Sequence, residues 1–298
     1  MAGNKGNSNV ITRRYLDSLL VETRYMNSAN PDMKMELYGQ TFDSPVMTAA
    51  LSHLDHMMFD GATRIFAEGA AKAGVILWLG MEDDDTVDMC ASTGAAMVEI
   101  IKPYSDRELI RKKIMHAQEL GILAVGIDID HPFGEDGSPD EVDGYEMTAL
   151  KTEELREICA GTSLPVIVKG VLSVYDANEA VDAGAAGLVL SHHNNRIEYA
   201  LPALMALPEI KSKLKKQVPI FVDGDIRSGM DVFKALALGA TAASIGRPLM
   251  TAIKESGAEG VAAYLANIKA GLGKAMACTG CYDLSRMDPA VIHRTSFV

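Results

Sequence analysis

Short apolar runs recur along the chain, and between them lie longer stretches in which apolar positions return every third or fourth residue. Five of the runs follow a glycine directly: VILWL after Ala73-Gly74, AAMVEII after Thr93-Gly94, ILAVGIDI after Leu120-Gly121, AAGLVLS after Ala183-Gly184 and ATAASIG after Leu238-Gly239. A glycine just past a helix adopts the left-handed backbone that ends it, so these pairs predict five helix-to-strand junctions. Three further runs, PVMTAA at 45–50, LPVIVKG at 164–170 and VPIFVDG at 218–224, begin at or next to a proline. They stay apolar over several residues, as strands buried on both faces do. The intervening amphipathic spacing predicts helices near 59–73, 83–92, 105–120, 151–160, 174–183, 200–214, 229–238 and 258–278. Ser105, Asp106 and Glu108, and likewise Ser173 and Asp176, suit helix N-termini.

Eight strands, each followed by a helix and with no Pro/Gly/Ser-rich linker between them, predict a (β/α)8 barrel, the TIM-barrel class, over 45–298. Residues 1–44 then form an N-terminal extension. A doubly wound open sheet fits less well, because no glycine-rich dinucleotide fingerprint follows the first strand.

Composition narrows the partners. With 28 Lys plus Arg against 40 Asp plus Glu, the net charge is −12 and no long basic run interrupts it. Nucleic acid and anionic membrane surfaces are therefore poor partners. No apolar stretch is long enough for a membrane span, and the first residues lack the apolar segment of a secretory signal. Four cysteines do not make a disulfide framework in a chain of 298 residues. A cytoplasmic protein acting on a small molecule is the expectation.

In such a barrel, chemistry sits at the C-terminal ends of the strands. Ser52, His53 and His56 follow the first strand; Asp128, Asp130 and His131 end the fourth; Lys169 ends the fifth. The sixth runs into Ser191-His192-His193-Asn194-Asn195-Arg196, the seventh into Asp223-Gly224-Asp225-Ile226-Arg227-Ser228-Gly229, and the eighth into Gly246-Arg247-Pro248. Loops after the last two strands commonly hold a phosphate through backbone N–H groups and a helix N-terminus, and Arg227 and Arg247 add charge. Lys169 at the end of a buried strand is a Schiff-base nucleophile, a cation against an anionic ligand atom, or an ion-pair partner of Asp128 or Asp130. His193 and Arg196, three residues apart, can offer a base and a fixed cation to one substrate, while strand alternation turns His192 elsewhere.

The segments VKG at 168–170, SHHNNR at 191–196, VDGDIRSGMDVFKALALGA at 222–240 and IGRP at 245–248 resemble the FMN-dependent 2-hydroxy-acid oxidase and dehydrogenase family, of which this chain looks like a short, divergent member. LYGQTFDSPVMTAA at 37–50 is similar to that family's entry into the first strand. The resemblance implies an FMN cofactor and oxidation of an activated hydroxyl compound, with homo-oligomers common. It implies Lys169 beside the flavin N1/O2 edge, His193 as the base and Arg196 on the substrate carboxylate. Ser191, Asp223, Gly224, Asp225, Arg227, Gly246 and Arg247 would then contact the flavin, the last six at its ribityl phosphate end. Reduced flavin gathers negative charge at N1/O2, which a fixed lysine stabilises.

Departures from the family pattern are local. Asn194 and Asn195 stand where the family has Gly-Gly, and Asp225 stands where it has a second phosphate-loop Gly; Asn and Asp tolerate positive φ best among non-glycine residues. The family's second substrate arginine is missing, and residues 130–146 hold seven acidic residues and no Lys or Arg. Lys102 aligns with a family tyrosine, and the family's N-terminal tyrosine has no clear counterpart. Lactate and glycolate are therefore expected to be poor substrates. Two other classes stay open: a phosphate-ligand lyase or aldolase with Lys169 as Schiff base, and a catalytically idle ligand-binding barrel. Cys278 and Cys281 have metal-motif spacing without a second pair, so a structural role is expected. His53 and His56 are expected to line the pocket rather than bind a metal, and the acidic run 82–85 to cap a helix.

Overall fold

The computed structural model describes residues 6–295. Eight parallel strands stand where the apolar runs predict them: β1 (Val46–Thr48), β2 (Leu77–Leu79), β3 (Met97–Ile101), β4 (Ala124–Asp128), β5 (Val166–Val171), β6 (Gly187–Leu190), β7 (Ile220–Val222) and β8 (Ala242–Ile245). They hydrogen bond in chain order from β2 to β8, and β8 pairs with β1. The last seam is closed by a bridge between Leu51 and Leu79, by Thr48 N donating to Ile76 O at 3.1 Å, and by Trp78 N donating to Thr48 Oγ1 at 2.8 Å. The result is a closed (β/α)8 barrel.

Helices α1 (Ala62–Ala73), α2 (Asp84–Ala91), α3 (Arg107–Glu119), α4 (Thr152–Ala160), α5 (Val174–Ala183), α6 (Ala203–Lys213), α7 (Gly229–Ala237) and α8 (Pro248–Thr279) alternate with the strands. The five junction glycines all have positive φ, from 59° at Gly74 to 114° at Gly239. Alternation along each strand divides the core. Met47, Trp78, Ile100, Ile167, Val189 and Phe221 fill the barrel interior, and Trp78 meets Phe221 edge to face at 5.4 Å. Val46, Leu77, Ile101, Val168 and Leu190 face the helices in a second, larger cluster.

Several helix boundaries shift by two or three residues from the sequence reading, and one shifts further. The last helix starts at Pro248 rather than near 258, because proline's fixed φ suits the first helical position; Ser256 (φ −147°) and Gly257 (φ 58°) then break it into two segments. The helix expected from 105 is capped by Asp106, whose side chain accepts from Glu108 N.

The N-terminal segment reaches both ends of the barrel. Its hairpin, Met35–Leu37 with Gln40–Phe42, sends Met35, Leu37 and Phe42 into the interior cluster and so plugs the N-terminal end. Its strand Leu19–Val21 pairs antiparallel with Ile292–Arg294. Its helix Ser8–Asp17 lies at the opposite end, where Thr12 Oγ1 is 2.9 Å from His192 Nε2 and Ser8 N donates to Asn195 Oδ1 at 2.6 Å.

Candidate active site

Parallel pairing sets Lys169 of β5 directly opposite Asp128 of β4. Lys169 Nζ donates to Asp128 Oδ1 at 2.7 Å, and Lys102, just beyond β3, donates to Asp128 Oδ2 at 2.7 Å. The Asp128 side chain is 1% exposed, so one buried carboxylate binds two ammonium groups. Burial alone would raise the Asp128 pKa, but Lys169 and Lys102 outweigh it and hold the carboxyl far below the usual range. Burial likewise pushes Lys169 down, and Asp128, with Asp130 and Asp223 behind it, more than reverses the effect. Lys169 is consequently charged at neutral pH. A Schiff-base nucleophile must be neutral to attack, which disfavours the lyase alternative.

The loop after β6 runs through left-handed backbone at His193 (φ 45°), Asn194 (φ 55°) and Asn195 (φ 71°), the tolerance expected of the two asparagines. That path sends the two histidines apart. His192 is buried, its Nε2 against Thr12 and its Nδ1 accepting from Asn195 N at 3.2 Å; burial lowers its pKa. His193 comes to the mouth, with Nδ1 2.8 Å from Asp130 Oδ1 and 3.2 Å from Lys169 Nζ. A carboxylate can only accept, so the shorter contact assigns the proton to Nδ1 and the lone pair to Nε2. Among the described residues Nε2 has no hydrogen-bond partner.

Arg196 does not point at open space. Its guanidinium donates to the Phe133 carbonyl and to Asp140 Oδ2, the latter at 2.5 Å. Both partners belong to the acidic segment, which folds back over the mouth as a short hairpin, Glu141–Val142 with Tyr145–Glu146. Ser105 N donates to Glu146 O at 2.8 Å, Tyr145 packs edge to face on Tyr104 at 5.4 Å, and Asp143 lies 3.4 Å from His53 Nε2. Asp140 also sits 2.8 Å from His131 Nδ1. Burial, helped by Lys102, His193 and Arg196, pushes the His131 pKa down to about 4, so this ring is neutral at pH 7.

At the ends of β7 and β8 the Asp225 carboxylate, 2% exposed, gathers cations. Arg227 Nε donates to its Oδ1 at 2.7 Å, Arg247 Nη2 is 3.7 Å from the same oxygen, and Arg13 of the N-terminal helix is 4.0 Å from Oδ2. Asp225 itself has φ 56°, so it keeps the backbone of the glycine it replaces. In the turn before α7, Asp231 Oδ2 accepts from Arg227 N and Ser228 N, and Asp231 N donates to Ser228 Oγ at 3.1 Å in a capping box, so these N–H groups are taken. What remains for an anion is the outward side of two guanidinium groups. Arg227 and Arg247 are 56% and 50% exposed, and Asp225 Oδ2 is buried without a hydrogen bond. Small residues line the neighbouring rim, where a Cβ on Gly246 would meet the Ala49 Cβ at 3.3 Å. This donor set, with the buried ammonium of Lys169 across the mouth, suits a flavin phosphate at one end and an anionic ring edge at the other.

Sequence reasoning alone did not find Arg13, Asn9 or Asp140, and it placed Lys102 only at the position of a family tyrosine, without its partner Asp128. Asn9 Oδ1 accepts from Arg247 at 3.1 Å, and neither it nor Arg13 carries any signal beyond its place on an N-terminal helix. Asp140 is one of seven acids in its segment, and only the fold singles it out. Asp83, from the acidic run, caps α2 by accepting from Thr86 N, and Cys278 and Cys281 are free thiols. Asp128, Asp130 and His193 bring possible metal-ligand atoms within 4.8 Å of one another, but the Lys169 ammonium already lies among them. None of the described helices is long and apolar enough to cross a membrane.

The model of the FMN-dependent dehydrogenase family matches residues 3–149 and 135–294. Glycolate oxidase 2 of Oryza sativa subsp. indica is 30% identical over 295 residues, covering 86% of this chain and 79% of that protein. Glycolate oxidase of Spinacia oleracea is 29% identical over 296 residues, covering 87% and 79%. Among solved structures, a mandelate oxidase variant carrying a C4a-OH-FMN adduct superposes with a TM-score of 0.86 at 27% identity, over 98% of this chain and 92% of that one. Mandelate oxidase with (S)-2-phenylpropionate gives 0.86 at 26%, over 98% and 90%. With the strand-end constellation already in place, these likenesses assign the chain to the FMN-dependent dehydrogenase family, as an FMN-dependent oxidoreductase of the 2-hydroxy-acid oxidase type.

Proposed function

We propose that this chain oxidises an activated hydroxyl compound at the mouth above β4, β5 and β6, with His193 as the base. The observation that carries this reading is the orientation of His193: Asp130 engages Nδ1 and leaves the Nε2 lone pair unpartnered among the described residues. An imidazole so oriented can accept a proton at Nε2, and Asp130 stabilises the imidazolium that forms. Lys169, kept charged by Asp128, is the cation for the flavin N1/O2 edge, with Ser191 beside it. Asp223, Gly224, Asp225, Arg227, Gly246 and Arg247 take the ribityl phosphate end, joined by Arg13 and Asn9 from the N-terminal helix. Bound there, FMN supplies the acceptor for two electrons.

Arg196 is the remaining guanidinium on the substrate side, and Asp140 holds it there. Free thiols at all four cysteines suit a cytoplasmic enzyme, and the exposed row Ile197, Tyr199 and Leu201 beside the mouth suits a homo-oligomer. The test is direct. Purified protein should be yellow, and anaerobic mixing with a panel of hydroxy compounds should bleach the flavin band. A colourless protein that takes up no added FMN would defeat the reading, whereas trapping a substrate on Lys169 with borohydride would favour the lyase.

A further inference from the structure

Each lysine and arginine at the substrate side of the mouth already has a carboxylate among the described residues. Asp128 takes Lys102 and Lys169, Asp130 faces the base His193, and Asp140 takes Arg196. The last pair is fixed rather than a chance surface contact. Asp140 N donates to Pro132 O at 3.1 Å, Met147 N donates to Asp140 O at 2.7 Å, and a bridge between Phe133 and Pro139 closes the turn before it. The Asp140 side chain is 17% exposed, and burial opposes its charge, yet the Arg196 guanidinium holds the carboxyl below its usual range.

Oxidising a 2-hydroxy carboxylate by way of a base places a second negative charge beside the first as the carbon loses its proton. Free guanidinium charge is what makes that tolerable, and here Arg196 is engaged. An uncharged carbonyl in place of the carboxylate makes the same C–H more acidic and brings no charge of its own. It also avoids the repulsion that Asp140 and its neighbours impose on an anion.

We propose that Asp140, by keeping Arg196 paired, directs this site to uncharged 2-hydroxycarbonyl compounds, with a 2-hydroxy amide as the simplest probe, in preference to 2-hydroxy carboxylates. The inference rests on the His193 reading above. The carbinol R–CH(OH)–C(O)NH2 becomes R–C(O)–C(O)NH2, losing two electrons and two protons. The electrons go to the flavin of the family activity; one proton goes to His193 and the other to the reduced flavin. Asp140 touches neither, and acts as a positioning residue through Arg196.

Lactate and lactamide differ only in the group at issue. Flavin-loaded protein mixed anaerobically with each should bleach at least about ten times faster with lactamide. In Asp140→Asn the ratio should move toward lactate by about 30-fold or more, the scale expected when a charged partner is released. Titrating the same samples with oxalate and oxamide, which cannot be oxidised at a carbinol, reads binding through the flavin absorbance shift. Asp140→Asn should tighten oxalate by a similar factor and leave oxamide unchanged. Asp140→Ser serves if the first variant is insoluble. A wild-type preference for lactate would overturn the substrate class, and an oxalate affinity unmoved by either variant would overturn the role of Asp140. Failure of both hydroxy compounds to bleach bound flavin would overturn the His193 assignment instead.

Discussion

At the ends of β7 and β8 two half-exposed guanidinium groups, Arg227 and Arg247, approach one carboxylate, Asp225, while Arg13 behind them grips Asp231 with both Nη atoms. At the ends of β3, β4 and β5 two ammonium groups close on one carboxylate, Asp128, and all three side chains are nearly sealed from water. The charge ratio is similar, but the consequence is not. An exposed arginine fork can turn toward an incoming dianion at little desolvation cost, so the first cluster is suited to hold a phosphate. The second cannot open without stranding a charge in the interior, so it presents Lys169 to a ligand at a fixed position rather than turning toward one. The same barrel rim therefore divides into a docking end and a rigid end, and His193 stands on the rigid one.

Four measurements bear on that division. Replacing His193 by Ala should slow anaerobic flavin reduction by about 10²–10⁴ while the flavin stays bound, since it removes the base and none of the arginines. Equal loss of flavin and of rate would show that the two ends are not separate. Asp128→Asn should cost about 3–5 kcal/mol of stability, because two buried ammonium groups lose their carboxylate. A melting temperature within a degree of wild type would mean that water reaches the cluster. Arg247→Ala should weaken FMN by about 1–3 kcal/mol, roughly 5- to 150-fold, read by flavin fluorescence during dialysis. Unchanged retention in that variant and in Arg227→Ala would remove the phosphate assignment.

The smallest effect concerns His131, whose folded pKa lies near 4 against an ordinary value of 6.5. A histidine with a depressed folded pKa contributes stability that is full above 6.5 and lost as pH falls toward 4, because the unfolded chain takes up the proton first. His131→Gln should therefore flatten the acid limb of a melting-temperature profile between those values and leave the alkaline side alone. An acid limb of the same steepness would place the titration elsewhere.

How much of this could be read without coordinates differs from residue to residue. Lys169 and His193 were legible because each ends an apolar run, and in a closed barrel such an end has one place to go. Asp225 was legible as a glycine substitute because positive φ selects few side chains, and the structure keeps it at 56°. Just before α7, Asp231 takes the N–H groups of Arg227 and Ser228, a pairing that the glycine pattern of this loop does not encode. Arg196 was placed on the right loop but not with its partner, which lies 56 residues away in sequence.

Local pattern by itself determined the eight strands, most of the helices and the five left-handed glycines, because backbone propensity and burial periodicity act over a few residues. It also determined that polar chemistry gathers at the ends of strands four to eight. Only the tertiary structure decided which charges meet: that Asp128 stands between Lys102 and Lys169, that the N-terminal helix brings Arg13 and Asn9 to the β7–β8 end, and that Asp140 folds back onto Arg196. Electrostatic pairing depends on distances of a few ångströms between segments remote in the chain, and neither composition nor spacing encodes which carboxylate reaches which cation.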